Sequence, residues 1–243
     1  MQTVKYRFFE PRLSPRRIKV EVPGWAGAKE PRKDGSHEHA WHCLPFIEGA
    51  QSGVELCYPY DNEFSVTKLD GKLIFEGDFG PNPQTGVQWP PFRTFGENYY
   101  TYQLLVDLKV ADDMAVLTGP HPRYYTSTAD DVPLAVPALI RTSWWPMISF
   151  VVFKAPPKGH SHVFRPGEAF MQMSFVPIDN QFELVPMDET EAAEREMQSR
   201  RIHASRDTLA KDTTWRSSTN TIFDGTYRHI LGAARAKDRL KDD

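Results

Sequence analysis

The chain has 243 residues, 40% of them apolar, and a formal net charge of −3, which permits a sizeable core and excludes the global basic field that nucleic-acid binding uses. Aromatic residues make up 12% and prolines number 20, a balance that argues against a helical bundle and for strands, turns and long loops. No apolar run approaches the ~18 residues of a membrane span. The opening MQTVKYRFFEPRL lacks the apolar stretch of a secretory signal, so a soluble cytoplasmic protein is the expectation.

Taken in chain order, Thr3 to Phe9 and Arg17 to Val22 read as short strands. A polar connection follows, PGWAGAKEPRKDGSHEHAW, which holds His37 and His39 with His42 just beyond. A strand-rich body begins at Cys43, with VELCYP (54–59), FSVTKL (64–69) and KLIFEG (72–77) as strands. The Asp70-Gly71 pair between the last two predicts a tight hairpin. A second long loop rich in proline and aromatics, 79–98, leads to TYQLLVDLKV (101–110), MAVLTGP (114–120), ALIRTSWW (138–145) and MISFVVFK (147–154). The last is nearly all apolar, as in a strand buried on both faces. HSHVF, an Arg-Pro-Gly-Glu turn, AFMQMSFVP and QFELVP complete the strand-like segments.

The pattern changes after Val185. Residues 189–211 have the acidic start and basic continuation of a helix capped by Asp188. A polar linker and a second helix from about Gly225 to Leu240, capped by Asp224, follow. The fold class expected is mainly β, an antiparallel jelly roll or distorted β-sandwich over 1–187, with a helical C-terminal extension over 188–243. Cys43 and Cys57 lack the paired spacing of a zinc site and lie in apolar surroundings, which reads as free buried thiols.

Several groups of residues could carry chemistry. His160 and His162 form an H-x-H at the strand period of two, the arrangement that turns two imidazoles to one face for a metal. The Pro166-Gly167 turn before Glu168 directs that carboxylate outward, and a third ligand would have to come from upstream, from His121 or the His37/His39/His42 loop. Asp112-Asp113 and Asp130-Asp131 read as solvated loop carboxylates. Aromatic residues interleaved with arginine fit a binding surface or a cover over one end of the sandwich: Trp89, Arg93 and Tyr100 on and just after the long loop, and Arg141 with Trp144 and Trp145. In a strand the two indoles would point to opposite faces, one into the core. G-x-S-x-G, P-loop, G-x-G-x-x-G and H-E-x-x-H motifs do not occur.

Three runs, WHCLPFIEGAQSGVELCYPYDNEFSV, YQLLVDLKVADDMAVLTGPHPR and LIRTSWWPMISFVVFK with FRPGEAFMQMSFVP, together resemble an uncharacterised β-rich family of bacterial and phage proteins. The likeness spans roughly 40–185 and implies a β fold without an activity. MISFVVFKAPPKGHSHVFRPGEAFMQMSFVP is in addition similar to the closing strands of the dUTPase and dCTP-deaminase fold. Where that family has a catalytic aspartate, this chain has Arg141 or Thr142, so the resemblance implies the fold rather than the hydrolysis.

The leading expectation is therefore a non-catalytic binding or assembly protein without a cofactor. It would take a small ligand or a protein partner on the aromatic surface and self-associate through the helical tail. One alternative is a cupin-type enzyme holding a single divalent transition metal on His160 and His162; another is a dUTPase-like nucleotide-binding protein.

Overall fold

The computed structural model describes residues 3–9, 11–19, 40, 43–79, 91–126, 132–147, 149–179, 182–209, 215–216, 222–223 and 225–242. They divide into two compact units, Met1–Glu21 with Glu48–Asn180, and Val22–Ile47 with Gln181–Asp243.

The first unit is mainly β. Its thirteen described strands are β1 (Lys5–Phe8), β2 (Arg16–Arg17), β3 (Val54–Cys57), β4 (Phe64–Leu69), β5 (Lys72–Glu76), β6 (Phe92–Phe95), β7 (Tyr99–Gln103), β8 (Val106–Lys109), β9 (Met114–Pro120), β10 (Ala138–Ile140), β11 (Phe150–Lys154), β12 (Ser161–Phe164) and β13 (Ala169–Pro177). They form four antiparallel sheets, ordered β10-β9-β13-β3-β2, β11-β7-β6, β12-β4-β5 and β1-β8. The arrangement is sandwich-like.

Alternation along each strand decides what is buried. Phe64 and Val66 on β4, Tyr100 and Tyr102 on β7, Val151 and Phe153 on β11, and His162 and Phe164 on β12 all turn inward. Phe64 stacks on Phe92 at 4.1 Å between ring centroids, Phe164 lies 4.9 Å from Phe92, and Tyr102 meets Phe170 edge-on at 5.1 Å. Rings from three sheets thus share one core.

The Asp70-Gly71 hairpin forms as its sequence predicts. Leu69 pairs with Lys72, and both central residues take positive φ, 47° and 76°, which suits the twist of the flanking strands. The Pro166-Gly167 turn does not close a hairpin. β12 pairs with β4 while β13 pairs with β3 and β9, so the turn carries the chain from one sheet to another. Its backbone is tied to the end of β3: Gly167 N donates to Tyr58 O and Tyr58 N to Glu168 O, both at 2.9 Å.

Other segments depart from expectation. The run 101–110 is divided between β7 and β8, which belong to different sheets. β11 buries one face only: Val151 and Phe153 are buried while Phe150 and Lys154 face outward. Strand structure in ALIRTSWW stops at Ile140, and 182–187 contains no strand. The helix α1 (Leu44–Ala50) stands where the strand-rich body was expected to begin. Gln172 Nε2 donates to the carbonyls of Gly49 and Ala50 at its end, satisfying groups that the helix leaves open.

In the second unit, α2 (Glu189–Leu209) begins at the expected cap: Asp188 Oδ1 accepts from Glu191 N at 2.8 Å. α3 (Thr226–Asp242) packs on α2. The short strands β14 (Trp215–Arg216) and β15 (Ile222–Phe223) pair between them. Asp224 lies outside the described residues.

Among the described glycines, Gly53 has the least room for a side chain. Its φ is +96°, and a Cβ there would stand 2.0 Å from Met173 O on the neighbouring β13. Gly53→Ala must both strain its own backbone and push β3 from β13, and it is expected to cost about 2–3 kcal/mol. Chemical denaturation of the two proteins measures this; equal midpoints would contradict it.

Candidate functional site

The residues singled out in the sequence do not assemble into one surface. Trp89, His37, His39 and His42 lie outside the described residues. Arg93 is on β6, exposed and opposite Thr101. Tyr100 is 0% exposed and belongs to the core, so no ligand reaches its ring. Arg141 is exposed in the chain leaving β10. Trp144 and Trp145 are not split between core and surface, because the chain turns there instead of continuing as a strand. Both are exposed, at 66% and 44%, with their rings edge-on at 5.8 Å.

The two histidines of H-x-H also part company. His160 precedes β12 and is exposed, whereas His162 is within the strand and only 3% exposed. Residues two apart share a face only inside a strand, and His160 lies before β12. Among the described residues no group of three His, Cys, Asp or Glu side chains could hold a metal ion.

His162 instead leads to a cavity of about 580 Å³. The residues around it come from matching ends of facing strands. Lys68 lies near the end of β4, His162 near the start of β12, Tyr99 at the start of β7 and Lys154 at the end of β11. Lys154 and Tyr99 are direct cross-strand partners, so their side chains share a face. Pro156, Pro157 and Lys158 continue the wall beyond β11, and Val132 and Leu134 add apolar surface. Lys68 Nζ donates to Asn98 Oδ1 at 2.8 Å, joining β4 to the turn before β7. Asn98 O in turn accepts from Ala155 N at 2.8 Å.

The base of the cavity is anchored in the core. His162 Nδ1 and Tyr100 Oη share a hydrogen bond of 2.9 Å across the two three-stranded sheets. Burial raises the Tyr100 phenol well above its ordinary range, and the Tyr124 phenol adds to the shift. Tyr100 therefore keeps its proton and is available to donate to His162.

A second polar group sits elsewhere in the same unit. Glu55 on β3 is buried between Arg16 on β2 and His121 just after β9. His121 Nε2 donates to Glu55 Oε2 at 2.9 Å, and His121 Nδ1 accepts from the Arg123 backbone N–H at 3.1 Å. Both ring nitrogens are thus engaged, which makes His121 a strut rather than a general base. Arg123 continues the network to Glu168 at 2.7 Å, so the expected outward carboxylate is an ion-pair partner.

Cys57 lies beside this network. Burial pushes its thiol up, and the charges of Arg16 and Arg123 do not reverse that. Cys43 is raised by burial as well. Both cysteines are free and stay protonated, unlike activated nucleophiles.

In sequence, Glu55 reads as one polar residue in the apolar run VELCYP, and His121 as a candidate upstream metal ligand. The pairing of Glu55 with this histidine 66 positions away gives both a different role. Lys68, Lys154 and Lys158 carried no signal beyond being lysines in strands or turns. Their convergence is a product of topology.

Glu55 has a defined pH signature. Burial alone would raise its carboxyl, but hydrogen bonds from His121 and Arg16 outweigh burial and hold it below the ordinary 4.5. A carboxyl depressed on folding stabilises the fold fully above its unfolded value, and that contribution is lost as pH falls through the folded value. Glu55→Gln should therefore destabilise by about 3 kcal/mol at pH 7, as when one partner of a buried pair is removed. The difference from the natural protein should shrink as pH drops below 4.5. Denaturation curves at several pH values test this, and a difference that does not change with pH would contradict it.

No protein-family model and no curated protein matches this chain, so the functional reading rests on the side chains themselves.

Proposed function

We propose that this chain is a non-catalytic small-ligand-binding protein and that its site is the cavity bounded by Lys68, Tyr99, Lys154 and His162. The observation that carries this reading is the form of that cavity: a hollow of about 580 Å³ with an apolar wall and a few convergent polar groups. Pockets for small molecules have this character and fall in this range of size. Apolar surface supplies the contact area, and a small number of fixed polar groups sets orientation.

Tyr99, Leu134, Pro156 and Pro157 provide the apolar part here. Lys68, steadied by Asn98, and His162, steadied by Tyr100, provide the fixed polar part. A polar group already held in place loses little freedom when a ligand arrives, which favours affinity. Binding is preferred to turnover because the groups most like catalytic ones are committed elsewhere. His121 has both nitrogens occupied, and Cys57 is held as a thiol.

Leu134 lines the cavity and is itself partly exposed, so a larger ring can replace it without disturbing the core. A panel of soluble aromatic fragments followed by ligand-observed NMR is expected to give binders to the natural protein. Leu134→Trp should weaken them at least about tenfold, a loss of about 1.4 kcal/mol, with the thermal melt unchanged. Fragments that bind the variant equally well, or no binders at all, would overturn the reading.

A further inference from the structure

We infer that the occupant of this cavity is an anion: a small molecule with a phosphate or carboxylate group attached to a planar or apolar body. This inference rests on the binding reading above and specifies the ligand for the same site. Its basis is an imbalance of charge. Lys68, Lys154 and Lys158 line one hollow, and no carboxylate is among the described residues that line it. Among the described residues none of the three has a carboxylate within ion-pair distance. Five arginines of the unit do have carboxylate partners: Arg7 with Asp107, Arg12 with Asp61, Arg16 with Glu55, Arg123 with Glu168 and Arg165 with Glu63.

Like charges gathered in a concave, partly apolar site repel one another, and the low-dielectric walls focus their field into the hollow. An anion relieves that repulsion. Lys68 is the best placed to do so directly. Its ammonium has three N–H groups, and Asn98 accepts from one of them, fixing its position. Lys154 and Lys158 are exposed and complete the approach from the β11 side.

The rest of the cavity describes the body of the ligand. The Tyr99 ring, on the same face as Lys154, and the consecutive prolines 156 and 157 form flat apolar surfaces beside the ammonium groups. A planar body can lie against these while its anionic group meets the lysines. A phosphate and a carboxylate share the chemistry the lysines recognise, so both serve as probes.

Calorimetric titration at low salt with phenyl phosphate, benzoate and uncharged benzyl alcohol tests the inference on the natural protein. The variants are Lys154→Gln/Lys158→Gln, whose two sites are exposed, and Leu134→Trp. Phenyl phosphate or benzoate is expected to bind at least about tenfold more tightly than benzyl alcohol, and more weakly as salt is added. The double lysine variant should lose about tenfold for the anion and nothing for benzyl alcohol. If the anion and the alcohol bind alike, or the double variant binds the anion as the natural protein does, the anion inference fails. The pocket reading then survives provided Leu134→Trp abolishes what binding there is. If none of the probes binds, both fall.

Discussion

Tyr100 joins the two three-stranded sheets by its ring and by its hydroxyl. Its ring stacks on Phe153 at 5.2 Å and lies within reach of Phe75, Phe92 and Phe164. Its hydroxyl crosses to His162 on the facing sheet. A buried phenol needs a partner, since desolvating a hydroxyl without one costs about 1–3 kcal/mol. Here the partner is a side chain that also lines the cavity. The same contact therefore completes the core and sets the floor of the site, and the fold and the proposed function share one constraint.

The two polar regions of this unit differ in how completely they are satisfied. Around Glu55 the acceptors and donors are matched: a carboxylate between an arginine and a histidine, and the histidine's other nitrogen on a backbone amide. Such a network holds β2, β3 and the chain after β9 in one arrangement, and it offers a ligand nothing. At the cavity the balance is incomplete. Three lysines share a hollow that contributes no described carboxylate to offset them. Cations gathered in one partly apolar hollow focus a field that an anion from outside the chain would meet.

Local patterns were legible in the sequence wherever short-range chemistry decides the outcome. FSVTKL, MAVLTGP and AFMQMSFVP are strands with the boundaries their alternation suggests, the Asp-Gly turn closes its hairpin, and Asp188 caps α2. Choices made at longer range were hidden. Nothing in TYQLLVDLKV marks Leu104 and Leu105 as a joint between two sheets, because both are apolar and both are buried. The Pro-Gly turn has the composition of a hairpin and becomes a corner because Gly167 N donates to Tyr58 O and Glu168 O accepts from Tyr58 N. The site suffers the same limitation. Tyr100 drew attention as a surface aromatic and is in the core; its neighbour Tyr99, one residue away on the opposite face, lines the cavity. Residue type pointed to the right strand, and the face was set by partners far along the chain.

The proposed site puts ligand entry between the ends of β4, β7, β11 and β12. Backbone amide shifts of isotope-labelled protein, recorded as phenyl phosphate is added, test it most directly. The largest changes are expected at Lys68, at Asn98 and Tyr99, and from Lys154 to His162, with the exposed tryptophans 144 and 145 unaffected. Changes centred on those tryptophans or on Glu55 and His121, with the cavity silent, would contradict it.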